Sequence, residues 1–228
     1  MLVTGGSTGI GAATARQAVE AGFRVVLGAR GEEPLERLAA ELGGREHAIA
    51  RRCDVTAWED VQALSATALD RFGRIDVVFA NAGFGASRGF LEDTVEHWRS
   101  MVLTNVLGVA LTIRATLPHL LERGSGHVVL TSSIAGRRSL PGSLYSATKF
   151  AVTGIGQSLR AELREMHGNT AIRVTLIEPG GVDTPFFERR QEGRLEAEDV
   201  ARTVLWAVSQ PAHVDIAEVL VLPAAQSV

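Results

Sequence analysis

Leu2-Val3-Thr4-Gly5-Gly6-Ser7-Thr8-Gly9-Ile10-Gly11 stands at the head of the chain, and the order of its parts decides the fold. Met1 to Thr4 reads as the end of a buried strand, and a glycine-rich loop follows at once. Ile10, Ala13, Thr14, Gln17, Ala18 and Ala21 then recur at helical spacing until Gly22. Strand, glycine loop and helix in that order form a phosphate cradle. Glycines let backbone approach closely, and the helix N-terminus offers unpaired N–H groups to anionic oxygens.

Working outward, the same alternation repeats. Phe23 to Ala29 predicts a second strand and His47 to Cys53 a third, with a helical face of Leu35, Leu38, Ala39 and Leu42 between them. Thr56 with Glu59 reads as a capping box for a helix running to Phe72. Ile75 to Ala80 is a continuous apolar run, as a strand covered on both faces requires. Thr94 can cap a long helix whose apolar stripe of Trp98, Met101 and Val109 also holds Asn105, a buried amide that must satisfy local backbone or serve a site. His127 to Thr131, Ile172 to Ile177 and Val219 to Leu222 complete the strands, and Ala197 to Val208 the helices. The expectation is a Rossmann-type doubly wound parallel sheet, a three-layer α/β sandwich forming a single domain over residues 1–228.

Tyr145 and Lys149 are the only tyrosine and the only lysine, although the chain has 23 basic residues. Scattered at random they would take this order and spacing roughly once in two hundred such chains. One helical turn apart, they share a face. A neighbouring ammonium stabilises a phenolate and lowers its pKa by roughly 1 to 3 units, so the pair is a candidate general acid/base.

Arg30 follows the second strand, where an acidic residue would hold a ribose 2′-hydroxyl and an arginine suits a 2′-phosphate. NADP(H) is therefore preferred, and Glu32 and Glu33 keep NAD(H) possible. The net charge of -3 gives no basic surface for nucleic acid. One cysteine, Cys53, allows no intrachain disulfide and fits a reducing cytoplasm. No uninterrupted apolar window approaches the length of a membrane span. No metal site is expected.

Several motifs now stand in register: Thr4-Gly5 with Gly9-Ile10-Gly11, Asp54, Asn81-Ala82-Gly83, Asn105, Ser133, Tyr145 with Lys149, and Pro179-Gly180 with Thr184. In this order they resemble the classical short-chain dehydrogenases/reductases over essentially the whole chain. The resemblance implies that Tyr145 exchanges a proton with the substrate oxygen and that Lys149 lowers its pKa and holds the nicotinamide ribose. It implies that Ser133 polarises the substrate oxygen and that Asn105 anchors a water behind Lys149. Asp54 would bond the adenine, Gly83 border a ribose and Thr184 grip the carboxamide. The implied cofactor set is Gly5, Ser7, Thr8, Gly9, Ile10, Gly11, Arg30, Asp54, Val55, Asn81, Ala82, Gly83, Tyr145, Lys149, Pro179, Gly180, Val182 and Thr184.

Three further expectations follow. The family carries residues before its first strand, so either that strand is clipped here or the true start lies upstream. The stretch from Thr184 to Ala197 is short for a substrate lid and predicts an open site. Phe84, Leu140, Pro141 and Phe186 are candidates for pocket lining and suggest an apolar ketone, aldehyde or alcohol as the small-molecule substrate. The rivals are an NAD-linked alcohol dehydrogenase, an NADP-sensing regulator without turnover, and an epimerase of the extended branch, whose longer C-terminal region is absent. The resemblance also implies a homodimer or homotetramer through the two long helices.

Overall fold

The computed structural model describes residues 1–185 and 192–226. Strands and helices alternate from the start: β1 (Leu2–Thr4), α1 (Gly9–Glu20), β2 (Val25–Ala29), α2 (Glu32–Glu41), β3 (Ala48–Arg52), α3 (Trp58–Phe72) and β4 (Val77–Ala80). The second half holds α4 (Val95–Val102), α5 (Gly108–Arg123), β5 (Gly126–Thr131), α6 (Leu144–Glu165), β6 (Ile172–Pro179), β7 (Val182–Asp183), β8 (Leu195–Glu196), α7 (Ala197–Val208) and β9 (Glu218–Val221). Seven strands form one parallel sheet in the order β3-β2-β1-β4-β5-β6-β9. The chain winds one way from β1 to β3 and the other way from β4 onward. The crevice for a ligand in such a sheet lies at that reversal, beyond the carboxyl ends of β1 and β4.

Strand alternation fills two cores. Leu2, Val78 and Ala80 face α3, α5 and α6, where Leu64, Leu120 and Leu159 are buried. Val3, Val77 and Phe79 point the other way, onto Ala15, Leu35, Val200 and Val204 of α1, α2 and α7. Residues two apart therefore share a face, as the pleat demands. Both faces are covered, which explains why these strands are apolar throughout.

Two local expectations are revised. Thr56 does not cap α3: its hydroxyl and its N–H both donate to Asp54 Oδ1, at 2.8 and 2.9 Å, and Ala57 is the N-cap without a side-chain bond. An Asx turn has taken the hydroxyl that a capping box would use. Thr94 does cap its helix, its side chain accepting from His97 N–H at 3.1 Å. The long helix itself is interrupted between α4 and α5 by a π turn over Leu103–Leu107, which the sequence did not announce. The run Val95–Arg123 has the length and hydropathy of a membrane span. Met101, Val109, Ile113 and Leu120 on its inner stripe are buried in the protein. The short ribbon of β7 with β8, also unanticipated, pairs Val182 with Leu195 and Asp183 with Glu196.

Candidate active site

A cavity of about 990 Å³ opens along the carboxyl edge of the sheet. Of the residues singled out from the sequence, Gly5, Ser7, Thr8, Gly9, Ile10, Arg30, Asp54, Val55, Asn81, Ala82, Gly83, Ser133, Tyr145, Lys149, Pro179, Gly180, Val182 and Thr184 line it. Gly11 and Asn105 lie behind its wall. Glycine is required in the cradle for two reasons: Gly9 has a φ of +52°, and a Cβ on Gly11 would sit 2.1 Å from the Gly5 carbonyl oxygen. The N-cap Thr8 makes no side-chain bond to α1, and the first turn of that helix carries no acidic residue. Its leading N–H groups thus stand at the cavity without a cap from Thr8, which fits a pyrophosphate.

The strand ends around the cavity are tied by polar side chains. Thr4 Oγ1 accepts from the N–H groups of Asn81 and Ala82, at 3.1 and 3.2 Å. The Asn81 amide donates to the carbonyls of Thr4 and Gly5, each at 3.3 Å, and accepts from Thr131 Oγ1 at 3.1 Å. One asparagine therefore joins β1, β4 and β5, and its side chain is spent on the frame. At the far edge, burial opposes the charge of Asp54, but the two Thr56 hydrogen bonds with Arg30 and Arg52 outweigh it and hold the carboxyl below its usual value. Exposed Arg30 lines the cavity here, whereas Glu32 and Glu33 do not; Glu33 pairs with Arg37 at 2.6 Å. Burial pushes the Cys53 thiol up to about 12, so it stays a packed, unreactive group.

At the other end α6 presents Tyr145 and Lys149. Ser143 starts this helix by accepting from Ser146 N–H at 3.3 Å. Ser133, just past β5, hydrogen-bonds the Tyr145 hydroxyl and reaches the Pro179 carbonyl at 3.3 Å. Its neighbour Ser132 turns away, donating to the Lys149 carbonyl at 3.1 Å. Lys149 is buried, and its ammonium donates to the Thr131 carbonyl at 2.8 Å while standing 5.6 Å from the centre of the Tyr145 ring.

That placement reverses one electrostatic expectation. Lys149 was to lower the Tyr145 pKa, but it lies over the ring face with its charge directed to a carbonyl. Burial pushes the phenol up to about 12 against the pull of Ser133. Burial also brings Lys149 down to about 8. Desolvation opposes the charged form of both groups.

Asn105 occupies the π turn and is 1% exposed. Its oxygen accepts from Phe84 N–H at 3.0 Å, and its amide donates to the Phe84 carbonyl at 2.9 Å and to Thr148 Oγ1 at 3.1 Å. The side chain thus clamps the loop after β4 onto α6. The extra residue of a π turn re-aims a side chain in this way.

Phe84 and Leu140 line the cavity; Pro141 does not, and Phe186 lies outside the described residues. The sequence reading missed Arg88, Arg194 and Gln226, which also line it. None belongs to a motif, and only the folded loops bring them in. The loop carrying Arg88 is fastened to the one before α6: Gly89 N–H donates to the Gly142 carbonyl at 2.7 Å. The backbones approach so closely that a Cβ on Gly142 would meet Gly89 Cα at 2.8 Å. Among the described residues, no group of three or more His, Cys, Asp or Glu side chains could hold a metal.

Comparison with known proteins agrees with this architecture. The short chain dehydrogenase profile matches residues 1–195. An uncharacterised oxidoreductase of Staphylococcus haemolyticus is 41% identical over an alignment of 226 residues that covers 97% of this chain and 96% of that protein. An alcohol dehydrogenase of the archaeon Thermococcus sibiricus, solved with 5-hydroxy-NADP, superposes with a TM-score of 0.89 at 32% identity, covering 99% of this chain and 97% of that one. The closed form of a serine dehydrogenase complexed with NADP+ gives 0.90 at 31% identity, covering 100% and 96%. With its parallel sheet, its glycine cradle and these relatives, the chain belongs to the short-chain dehydrogenase/reductase family.

Proposed function

We propose that the chain, acting as one domain over residues 1–228, is an NADP(H)-dependent oxidoreductase that interconverts a carbonyl compound and an alcohol. The observation that carries this reading is the hydrogen bond between Ser133 and the Tyr145 hydroxyl, beside buried Lys149, on the wall of a cavity lined by the glycine cradle. When bound, the nicotinamide supplies or takes up the hydride. The protein supplies the proton and the orientation.

In the reducing direction the Tyr145 hydroxyl gives its proton to the substrate oxygen, and Ser133 donates a hydrogen bond that polarises the same atom. A phenol pushed up to about 12 is fully protonated at neutral pH and so ready to donate. In the oxidising direction the phenolate takes the alcohol proton. Ser133 hydrogen-bonds that phenolate, and Lys149 holds the nicotinamide ribose beside it. Asn105 acts through the loop it clamps and through Lys149 next to it, not by touching the substrate.

Gly5, Ser7, Thr8, Gly9 and Ile10 receive the pyrophosphate, and Gly11 lets α1 pack close enough to do so. Asp54 and Val55 border the adenine; Asn81, Ala82 and Gly83 form the ribose wall; Pro179, Gly180, Val182 and Thr184 border the carboxamide. Arg30 selects NADP over NAD, supported by its position on the cavity, the absence of Glu32 and Glu33 from that wall, and the NADP bound by the solved serine dehydrogenase. Exposed Val102, Leu103 and Leu107 on the long helix, with Phe150 on α6, support pairing of copies into a homodimer or homotetramer. The cytoplasm remains the proposed compartment.

The test is a fluorescence titration with NADPH and with NADH, on the native protein and on Arg30→Ala, followed by a carbonyl screen with Tyr145→Phe as control. NADPH binding that weakens selectively in Arg30→Ala, with turnover abolished by Tyr145→Phe, is the expected result. Turnover undiminished in Tyr145→Phe overturns the proposed chemistry.

A further inference from the structure

We propose that the substrate carries a carboxylate, held by Arg194 and Arg88 together with the Gln226 amide, so that the compounds handled are short hydroxy acids and oxo acids. The proposal rests on the carbonyl–alcohol reading above and names its substrate class.

Charge is the first argument. The chain has a net charge of -3, yet among the described residues its cavity is lined by the cations Arg30, Arg88, Lys149 and Arg194 and by the carboxylates Asp54 and Glu192. Arg30 and Asp54 follow β2 and β3 at the far edge, and Lys149 is directed to the Thr131 carbonyl. Among the described residues, that leaves Arg88, Arg194 and Glu192 as the other charged side chains on the cavity wall. A cavity that collects cations in an acidic protein recruits an anion.

Geometry is the second. Leu195 N–H donates to the Gly181 carbonyl at 2.9 Å, which fixes Arg194 beside that residue. The Arg194 side chain runs along Gly181, with Cγ 3.4 Å and Nε 3.7 Å from where a Cβ would stand. Gln226 meets the same residue, its Oε1 accepting from Gly181 N–H at 3.0 Å. With its oxygen engaged there, the amide offers the cavity its NH₂ donors. Two residues earlier, the Pro179 carbonyl receives Ser133 Oγ at 3.3 Å.

The donors that orient the reacting oxygen and those that would hold a carboxylate are therefore joined by one short stretch of backbone. Arg88 comes from another part of the chain, on the loop fastened through Gly89 to Gly142, just ahead of Tyr145. A guanidinium binds a carboxylate through two parallel hydrogen bonds and so sets its orientation as well as its affinity. An acid whose hydroxyl-bearing carbon lies near its carboxylate spans the two sets of donors. A neutral alcohol uses only one of them.

The experiment compares lactate, serine and 3-hydroxybutyrate with their methyl esters, as substrates of the native protein, Arg194→Met and Arg88→Met. The NADP+ complex of Tyr145→Phe is titrated calorimetrically with the same compounds, and NADPH binding is measured for every variant. We expect kcat/KM for at least one acid to exceed that for its ester by about tenfold or more, the scale of one charge-assisted contact. Each arginine variant should remove most of that margin through KM while leaving the ester and NADPH binding unchanged. Equal handling of acids and esters, or parallel losses for both while NADPH still binds, overturns the proposal.

If Arg194→Met no longer binds NADPH, Arg88→Met on its exposed loop decides: a loss confined to the acids supports the subsite and no such loss refutes it. Neutral alcohols turned over without any preference for acids would refute the subsite and keep the redox reading. Acids bound by the Tyr145→Phe complex yet never oxidised by the native protein would keep the subsite and refute the redox reading.

Discussion

Replacing Arg137 by methionine should expose how the structure pays for a carboxylate inside its sheet. Glu178 lies near the end of β6 with its side chain 0% exposed, and its Oε1 has no hydrogen-bond partner among the described residues. Its Oε2 is bonded by Arg137 Nε, and the same guanidinium reaches Glu218 at 2.7 Å. Arg137 stands only four residues beyond Ser133, so the pair also anchors the loop that carries this hydroxyl.

Stranding one member of a buried ion pair costs about 3–5 kcal/mol. Arg137 is 40% exposed, and water can take part of its place. A smaller cost, about 2–3 kcal/mol, is therefore expected for Arg137→Met at pH 8. In a chain of this length that lowers Tm by about 5–10 °C. The pH dependence has a definite sign: burial raises the Glu178 pKa above its usual value despite the pull of Arg137. A carboxyl raised on folding favours the native state at low pH and loses that contribution as pH rises through its folded value. Removing Arg137 raises it further, so the deficit should grow between pH 5 and pH 8.

Urea unfolding at both pH values, on Arg137→Met, Glu178→Gln and the double variant, measures this. The double variant should recover most of the loss, because a neutral amide needs no counter-charge. The reasoning is refuted if Arg137→Met stays within about 0.5 kcal/mol of the native protein at pH 8, the range of ordinary surface substitutions, or if the double variant is no better than the single.

Three other outcomes are expected. Gly11→Ala pushes a methyl against the Gly5 carbonyl and should weaken NADPH binding about tenfold to a hundredfold, read by fluorescence, as overpacking of this kind costs about 1–3 kcal/mol. Unchanged affinity would remove the close packing of β1 and α1 from the account. Asn105→Ala leaves the Phe84 N–H and carbonyl without their partner and should destabilise the fold by about 2–4 kcal/mol in urea while lowering turnover. In pH–rate profiles, alcohol oxidation should climb steadily between pH 6 and pH 9 because the Tyr145 phenol is pushed up to about 12. Carbonyl reduction should fall above pH 8 as Lys149, brought down to about 8, loses its charge. A plateau in oxidation below pH 7 would contradict the phenol as base.

The sheet could be read from the sequence because parallel strands covered on both faces leave unbroken apolar runs such as Val77 to Ala80, and each is followed by helical spacing. The cavity residues that sit in motifs were equally accessible, since each lies just beyond a strand end. The π turn at Leu103–Leu107 left no compositional trace: one extra residue per turn changes hydrogen bonding, not residue type. Arg88, Arg194 and Gln226 reach the cavity only through loop and terminal geometry. The protonation of Tyr145 was misjudged for a related reason. Spacing in a helix reports which side chains are neighbours, but the desolvation that dominates this phenol comes from everything packed around it.

The backbone contact between Gly89 and Gly142 has a consequence for how this enzyme could diverge. Two loops that wall the substrate end, drawn from separate parts of the chain, touch with no side chain between them. A methyl on Gly142 would displace the loop of Gly89, and one on Gly89 would push into Glu92 of its own loop, so neither side of the contact has room to grow. Evolution or engineering that seeks a new substrate must therefore exchange the two loops as one cassette, while the mouth bordered by Arg194 and Gln226 can vary independently.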